Sequence, residues 1–158
     1  MMLARGLATA VVVVVLDQLS KAVVLAFFAG RALGDRETVT SFFNLALTYN
    51  RGISFGLFNG GAGLNALVFS VAAAAIVAVL VFWLSRVSSP FLAVAIGLII
   101  GGAVGNVIDR IRHGAVVDFL DFHVGYLHWP AFNIADSAIC IGVVAMLLDG
   151  LLLRREAH

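Results

Sequence analysis

Two aspartates carry the chemistry that this sequence could do. Asp118 stands in GAVVDFLDF (114–122) and Asp136 in PAFNIADSAI (130–139), with seventeen residues between them. Each borders a long apolar stretch, where an ionised carboxylate is costly unless it is paired or used. Two carboxylates brought together in such a place cannot both ionise easily, so they share a proton. The ionised member can activate a water while the other protonates a carbonyl or a leaving amine. The rival reading is a cation or proton path, as in a small ion- or proton-coupled transporter, because carboxylates inside membranes also mark such paths. That path is hard to draw here, since Cys140 is the one polar residue between Ser137 and Asp149.

The residues around the pair differ between its members. In FNIAD, Asn133 suits a helix N-cap and Asp136 then falls in the first turn, where free N–H groups and the helix dipole favour a carboxylate. Asp118 has no such help in its segment. Asp136 is therefore expected to hold more of the negative charge and Asp118 more of the proton.

Other polar residues have simpler readings. Asp17 and Lys21 are four apart, share a helix face and make an intramembrane ion pair. Asn106, Asp109 and Arg110 close the third helix, where they brace loops or meet a polar ligand. Asp149 reads as interfacial. His113, His123 and His128 show no metal-ligand spacing, so no metal site is expected. Cys140 excludes an internal disulfide and reads as a small buried hydrophobe rather than a nucleophile.

The elements that must position the pair follow from composition. The 158 residues are 62% hydrophobic and 12% charged, with mean hydropathy +1.07. A soluble domain is nearer half apolar and a quarter charged, so this is an integral membrane protein. A net charge of +1 supplies no basic stripe for nucleic acid. About twenty apolar residues cross a bilayer core, and four stretches qualify: about 6–29, 63–84, 90–108 and 133–153. The first is read as an uncleaved span, because DQLSK and further apolar residues follow it in place of a small-x-small cleavage site.

The reading is a single membrane domain over 1–158, all-α, with longer connectors at 30–62 and 109–132 on one side and 85–90 with both termini on the other. Arg5, Arg86, Arg154 and Arg155 on the terminal side face Arg31, Arg36, Arg51, Arg110 and Arg112 on the other. The positive-inside rule therefore does not orient the chain. Within the first connector, ETVTSFFNLALTYN (37–50) sets Phe43, Leu45, Leu47 and Tyr49 at period two, which predicts a strand with one apolar face. Glycines 52 and 56 suit a turn after it, and a small sheet on the membrane surface is expected between the first two helices. Gly97, Gly101 and Gly105 make a face for close helix approach.

The polar islands LDQLSK (16–21), YNRGISFG (49–56), GGAVGNVIDRIRHGAVVDF (101–119) and PAFNIADSAI (130–139) resemble, in this order, those of lipoprotein signal peptidase, the signal peptidase II family. The likeness spans essentially the whole chain. It implies a bacterial inner-membrane aspartic endopeptidase that cuts diacylglyceryl-modified prolipoproteins N-terminal to the lipidated cysteine, with no cofactor. Asp118 and Asp136 match the family's catalytic pair. Asp17, Asn50, Gly52, Asn106, Asp109, Arg110 and Asn133 match positions that line or support its site. Arg51, Ile53 and Ser54 stand where many members have smaller or less charged residues. The resemblance further implies cytoplasmic termini, a site facing the periplasm, a periplasmic sheet that cradles substrate, and contact with membrane lipid. The expected state is a monomer.

Overall fold

The computed structural model describes residues 1–52 and 61–156. Its helices are α1 (Met2–Phe27), α2 (Gly61–Leu84), α3 (Pro90–His113) and α4 (Ile134–Glu156), and its strands β1 (Arg36–Thr40), β2 (Phe43–Asn50), β3 (Val116–Val124) and β4 (Leu127–His128). All four helices are long and apolar enough to cross a membrane. The turn expected at Gly56, with Ile53 and Ser54, lies outside the described residues.

α1 shows how these helices are built. Gly6, Ala10, Val13, Asp17, Lys21 and Val24 are buried, while Val11, Val15, Leu19 and Val23 are exposed at steps of four. The outward stripe is all aliphatic and the inward stripe carries both charges, the pattern of a helix whose solvent is lipid. α3 is the central helix, packed on α1, α2 and α4. Its core with α1 and α2 joins Ala10, Leu80, Leu84, Ala93, Ile96, Ile99 and Ile100.

α3 runs to His113, five residues beyond the apolar limit at 108. Asp109 and Arg110 therefore stand on the helix and not in the connector. Gly114 ends it in the left-handed conformation, φ 69°, where a residue lacking Cβ is favoured. Arg110, Arg112 and His113 in the last turn suit the negative end of the dipole. The start is capped by Ser89, whose Oγ accepts Leu92 N–H at 3.2 Å, with Pro90 following.

The glycine face does what its spacing predicts. A Cβ on Gly105 would stand 2.6 Å from Asp17 Oδ2, and Gly97 and Gly101 meet α1 backbone at Gly6 and Ala10. Gly102 does the same for α4, against the carbonyl of Ala135.

The sheet corrects two expectations. The 37–50 segment is a hairpin of two strands rather than one, and half of the sheet comes from the second long connector. Strand order is β1-β2-β3-β4, antiparallel throughout. Because β2 pairs with β3, both long connectors lie on one side. Asp121 ties the four strands with one residue from each: it accepts from Asn44 at 3.0 Å and His128 at 2.7 Å and pairs with Arg36 at 3.5 Å. Burial pushes Asp121 up, but these hydrogen bonds and charges outweigh it and hold the carboxylate below its ordinary range.

Cys140 is exposed, contrary to its reading as a buried hydrophobe. It shares an apolar groove with Phe91, Ile141, Val144, Ala145 and Leu148. α4 turns Ala135, Ala138 and Gly142 inward instead, and lipid solvates the outer face as well as a core would.

Candidate active site

The site forms where the C-terminal end of α3, the start of α4, β3 and the C-terminal half of α1 converge. Phe132 brings the segments that bear Asp118 and Asp136 together. It bridges Leu120 on β3, accepting Phe119 and Leu120 N–H at 3.0 and 2.8 Å and donating to Leu120 at 3.2 Å. The next residue, Asn133, then enters α4 beside Asp118.

Asn133 and Asp136 cap α4 reciprocally. Asn133 Oδ1 accepts Asp136 N–H at 2.9 Å, and Asp136 Oδ2 accepts Asn133 N–H at 3.3 Å. This is a capping box with asparagine in the cap position. Asn133 Nδ2 donates to Asp118 Oδ1 at 2.7 Å, so one fully buried amide holds both aspartates.

Asp118 is 2% exposed. A β-bulge helps to furnish its surroundings. The β2–β3 register shifts between Leu45 and Thr48, one extra residue on β2. Thr48 is thereby set opposite Asp118, with Asn50 two residues further on the same face, and Thr48 Oγ1 donates to the Asp118 carbonyl at 3.1 Å. Burial pushes the Asp118 carboxyl up to about 6, against a hydrogen bond from Asn50. The nearby Asp136 charge adds to the rise, while Asn133 and Lys21 oppose it.

Asp136 accepts from Asn106 Nδ2 at 2.8 Å. The orientation of Asn106 is fixed from behind, because its Oδ1 faces Lys21 Nζ at 3.3 Å and Asn133 Nδ2 at 3.2 Å, and an ammonium can only donate. The resulting turn of the amide aims its donor at Asp136.

The remaining residues form the floor. Lys21 pairs with Asp17 at 2.8 Å and Asp109 at 2.7 Å. Asp17 Oδ1 accepts Ala135 N–H at 3.0 Å, and Asp109 Oδ2 accepts Val117 N–H at 3.0 Å. Gln18 Nε2 donates to Asp17, Asp109 and the Gly105 carbonyl, while its oxygen accepts from Arg112. Asp17, Asn106, Asp109 and Asn133 are thus brought into one network with Asp118 and Asp136. Arg110 stacks over Phe69 at 5.5 Å and couples electrostatically to both aspartates. Gly52 stands apart from the network: at φ 81° it donates to Asn50 Oδ1 at 2.9 Å, and so shapes the loop that presents Asn50. A groove of about 790 Å³, lined by Leu33, Thr48, Tyr49, Asn50, Arg51 and His113 among others, opens beside this loop.

Sequence reasoning missed Gln18, Phe132 and the second and third partners of Lys21. The i,i+4 pairing of Lys21 with Asp17 was the one local signal.

Comparison with known proteins agrees in fold and sequence. The family model described as signal peptidase (SPase) II matches residues 9–152. The lipoprotein signal peptidase of Burkholderia cenocepacia is 46% identical over 150 residues, covering 94% of this chain and 89% of that protein. That of Janthinobacterium sp. is 44% identical over 146 residues, covering 92% and 87%. A bacterial membrane enzyme solved by the in meso method at 1.9 Å superposes with TM-score 0.80 and 33% identity, over 92% of each chain. A second such structure, at 2.3 Å, gives 0.75 and 33% over 92% and 87%.

Proposed function

The chain belongs to the signal peptidase II family, and on that premise we propose that Asp118 and Asp136 are the catalytic pair of a multi-pass bacterial membrane peptidase that removes signal peptides from prolipoproteins. The observation that carries this assignment is Asn133, whose single amide donates to the Asp118 carboxylate at 2.7 Å and accepts the Asp136 backbone N–H at 2.9 Å. The charge of Asp136 acts on the buried Asp118 carboxyl, and two carboxylates that interact in this way share a proton. We place that proton on Asp118, the member that burial raises to about 6. Asp136, with donors on both oxygens, draws the proton from the attacking water. Asp118 protonates the carbonyl oxygen of the scissile amide; as the tetrahedral intermediate collapses and the C–N bond breaks, Asp136 passes the water's proton to the leaving amine and Asp118 takes its proton back from the hydroxyl. Asn50, Gly52 and Arg110 border the approach to the pair, while Asp17, Asn106, Asp109 and Asn133 support it.

The substrate is read as a diacylglyceryl-modified prolipoprotein, cut N-terminal to its lipidated cysteine, whose acyl chains stay in membrane lipid. The four-stranded sheet would cradle the peptide. The protein acts as a monomer, its termini in the cytoplasm and its site toward the periplasm of the inner membrane. A transporter reading loses its ground, because the buried charges cluster at one end of the helices.

Purified protein in detergent should cut a diacylglyceryl-modified prolipoprotein peptide at that bond and leave the unmodified peptide intact. Equal cutting of both would overturn the substrate reading. Reporter fusions within 86–89 should sense cytoplasm and those near Gly34 periplasm; the reverse pattern would overturn the orientation.

A further inference from the structure

We propose that Lys21 is a positioning residue for the two aspartates, an ammonium whose three contacts fix where each of them stands. An ammonium carries three N–H bonds and no acceptor. Here the ammonium donates to Asp17 Oδ2 at 2.8 Å and Asn106 Oδ1 at 3.3 Å and makes an ion pair with Asp109 Oδ2 at 2.7 Å. Each partner leads on to a segment that bears an aspartate. Asp17 holds Ala135 N–H, next to Asp136. Asp109 holds Val117 N–H, next to Asp118. Asn106, turned by the ammonium, donates to the Asp136 carboxylate itself at 2.8 Å.

The simpler role for Lys21 is to neutralise Asp17 inside the membrane. One carboxylate would suffice for that. The structure instead sets two carboxylates and an amide around one ammonium whose side chain is 3% exposed. The surplus negative charge meets backbone N–H groups of the very segments that carry the site. Lys21 lies beneath the pair and reaches it through these three neighbours, so its effect falls on the geometry of the bond-breaking step and not on capture of substrate.

The inference rests on Asp118 and Asp136 being the catalytic pair. Two variants separate it from charge balance. Lys21→Arg keeps the charge, but a guanidinium spreads its donors over a planar fork and cannot make three divergent contacts from one atom. Asp17→Asn leaves one ammonium facing one carboxylate, a better balance. Its amide, however, must turn a donor either to Lys21 or to Ala135 N–H, so that arm breaks at one end.

The test measures kcat and KM of Lys21→Arg and Asp17→Asn on a diacylglyceryl-modified peptide in detergent, beside wild type, Asp118→Asn and Asp136→Asn. Each is first checked for a monodisperse elution profile and cooperative unfolding. The expected result is a fall in kcat on the order of 100-fold with KM within about twofold, the mark of misplacement by about an ångström. Wild-type kcat in either folded variant would overturn the inference, and Asp17→Asn alone decides if Lys21→Arg fails to fold. If Asp118→Asn or Asp136→Asn stays active, the catalytic pair itself is wrong. If both are dead while Lys21→Arg or Asp17→Asn turns over normally, the role of Lys21 alone is wrong.

Discussion

The side-chain amide of Asn133 donates to Asp118 Oδ1 at 2.7 Å while its oxygen accepts the backbone N–H of Asp136 at 2.9 Å. The bond to Asp118 opposes the rise that burial imposes on that carboxyl, which reaches about 6. Removing the donor in Asn133→Ala lets the group rise further. A hydrogen bond of about 1 kcal/mol corresponds to roughly half to one pKa unit. The alkaline limb of kcat/KM, which follows loss of the Asp118 proton, should move to higher pH by about that much. A limb that stays in place or moves down would contradict the assignment of the proton to Asp118.

Asp118 should also cost stability near neutral pH. Its folded value of about 6 lies above the ordinary 3.8. A raised acid gives its full stability below 3.8 and loses it as pH rises through about 6. At about 1.4 kcal/mol per unit the burden is roughly 3 kcal/mol above that window. Asp118→Asn keeps the shape and an acceptor for Asn133, so its Tm should exceed that of wild type at pH 8 and match it near pH 4. Thermal unfolding in detergent at the two pH values checks this; equal Tm at pH 8 would show that burial does not strain Asp118.

How much of this was legible in the sequence depends on what each feature rests on. The four helices were legible because length and apolarity alone specify a span. The last turn of α3 was not, because Arg110, Arg112 and His113 read as connector, although Gly114 marked the true end. β2 showed alternation, whereas β3 is buried on both faces over Val116–Phe119 and so has no period to detect. Asp118 and Asp136 stood out as charges in apolar sequence. Gln18, the bridge at Phe132 and the three arms of Lys21 depend on which helix faces which, and no single segment encodes that. Cys140 was misread because apolar neighbours mean burial in water but say nothing about direction in lipid.

The glycines of α3 should tolerate no side chain, and to different degrees. A Cβ on Gly105 would press on Asp17 Oδ2 at 2.6 Å, a side-chain tip that Lys21 and Gln18 hold in place. A Cβ on Gly102 would strike the Ala135 carbonyl, backbone that yields only if α4 moves. Gly102→Ala should therefore lose more, on the order of 1–3 kcal/mol of stability as for other overpacked sites. Gly105→Ala should lose more activity than stability. Comparing Tm and turnover for the two checks the split, and the reverse order would contradict it.

Catalysis by two carboxylates needs neither thiol nor metal. Cys140 lies on the outer face of α4, away from Asp118 and Asp136. Cys140→Ser and prolonged EDTA treatment should each leave turnover within about twofold of wild type, the range of uniform, non-chemical effects. Loss of activity with EDTA that a divalent metal restores would require a different mechanism.

The most direct measurement is cleavage of a diacylglyceryl-modified prolipoprotein peptide by folded Asp118→Asn and Asp136→Asn. Asparagine preserves the volume of each side chain and part of its hydrogen bonding, yet can neither take nor give the proton. Each variant should lose at least about 100-fold in kcat, the scale of a general acid or base, while still inserting in the membrane and eluting as wild type does. Retention of more than a few per cent of activity by either one would contradict a catalytic pair made of Asp118 and Asp136.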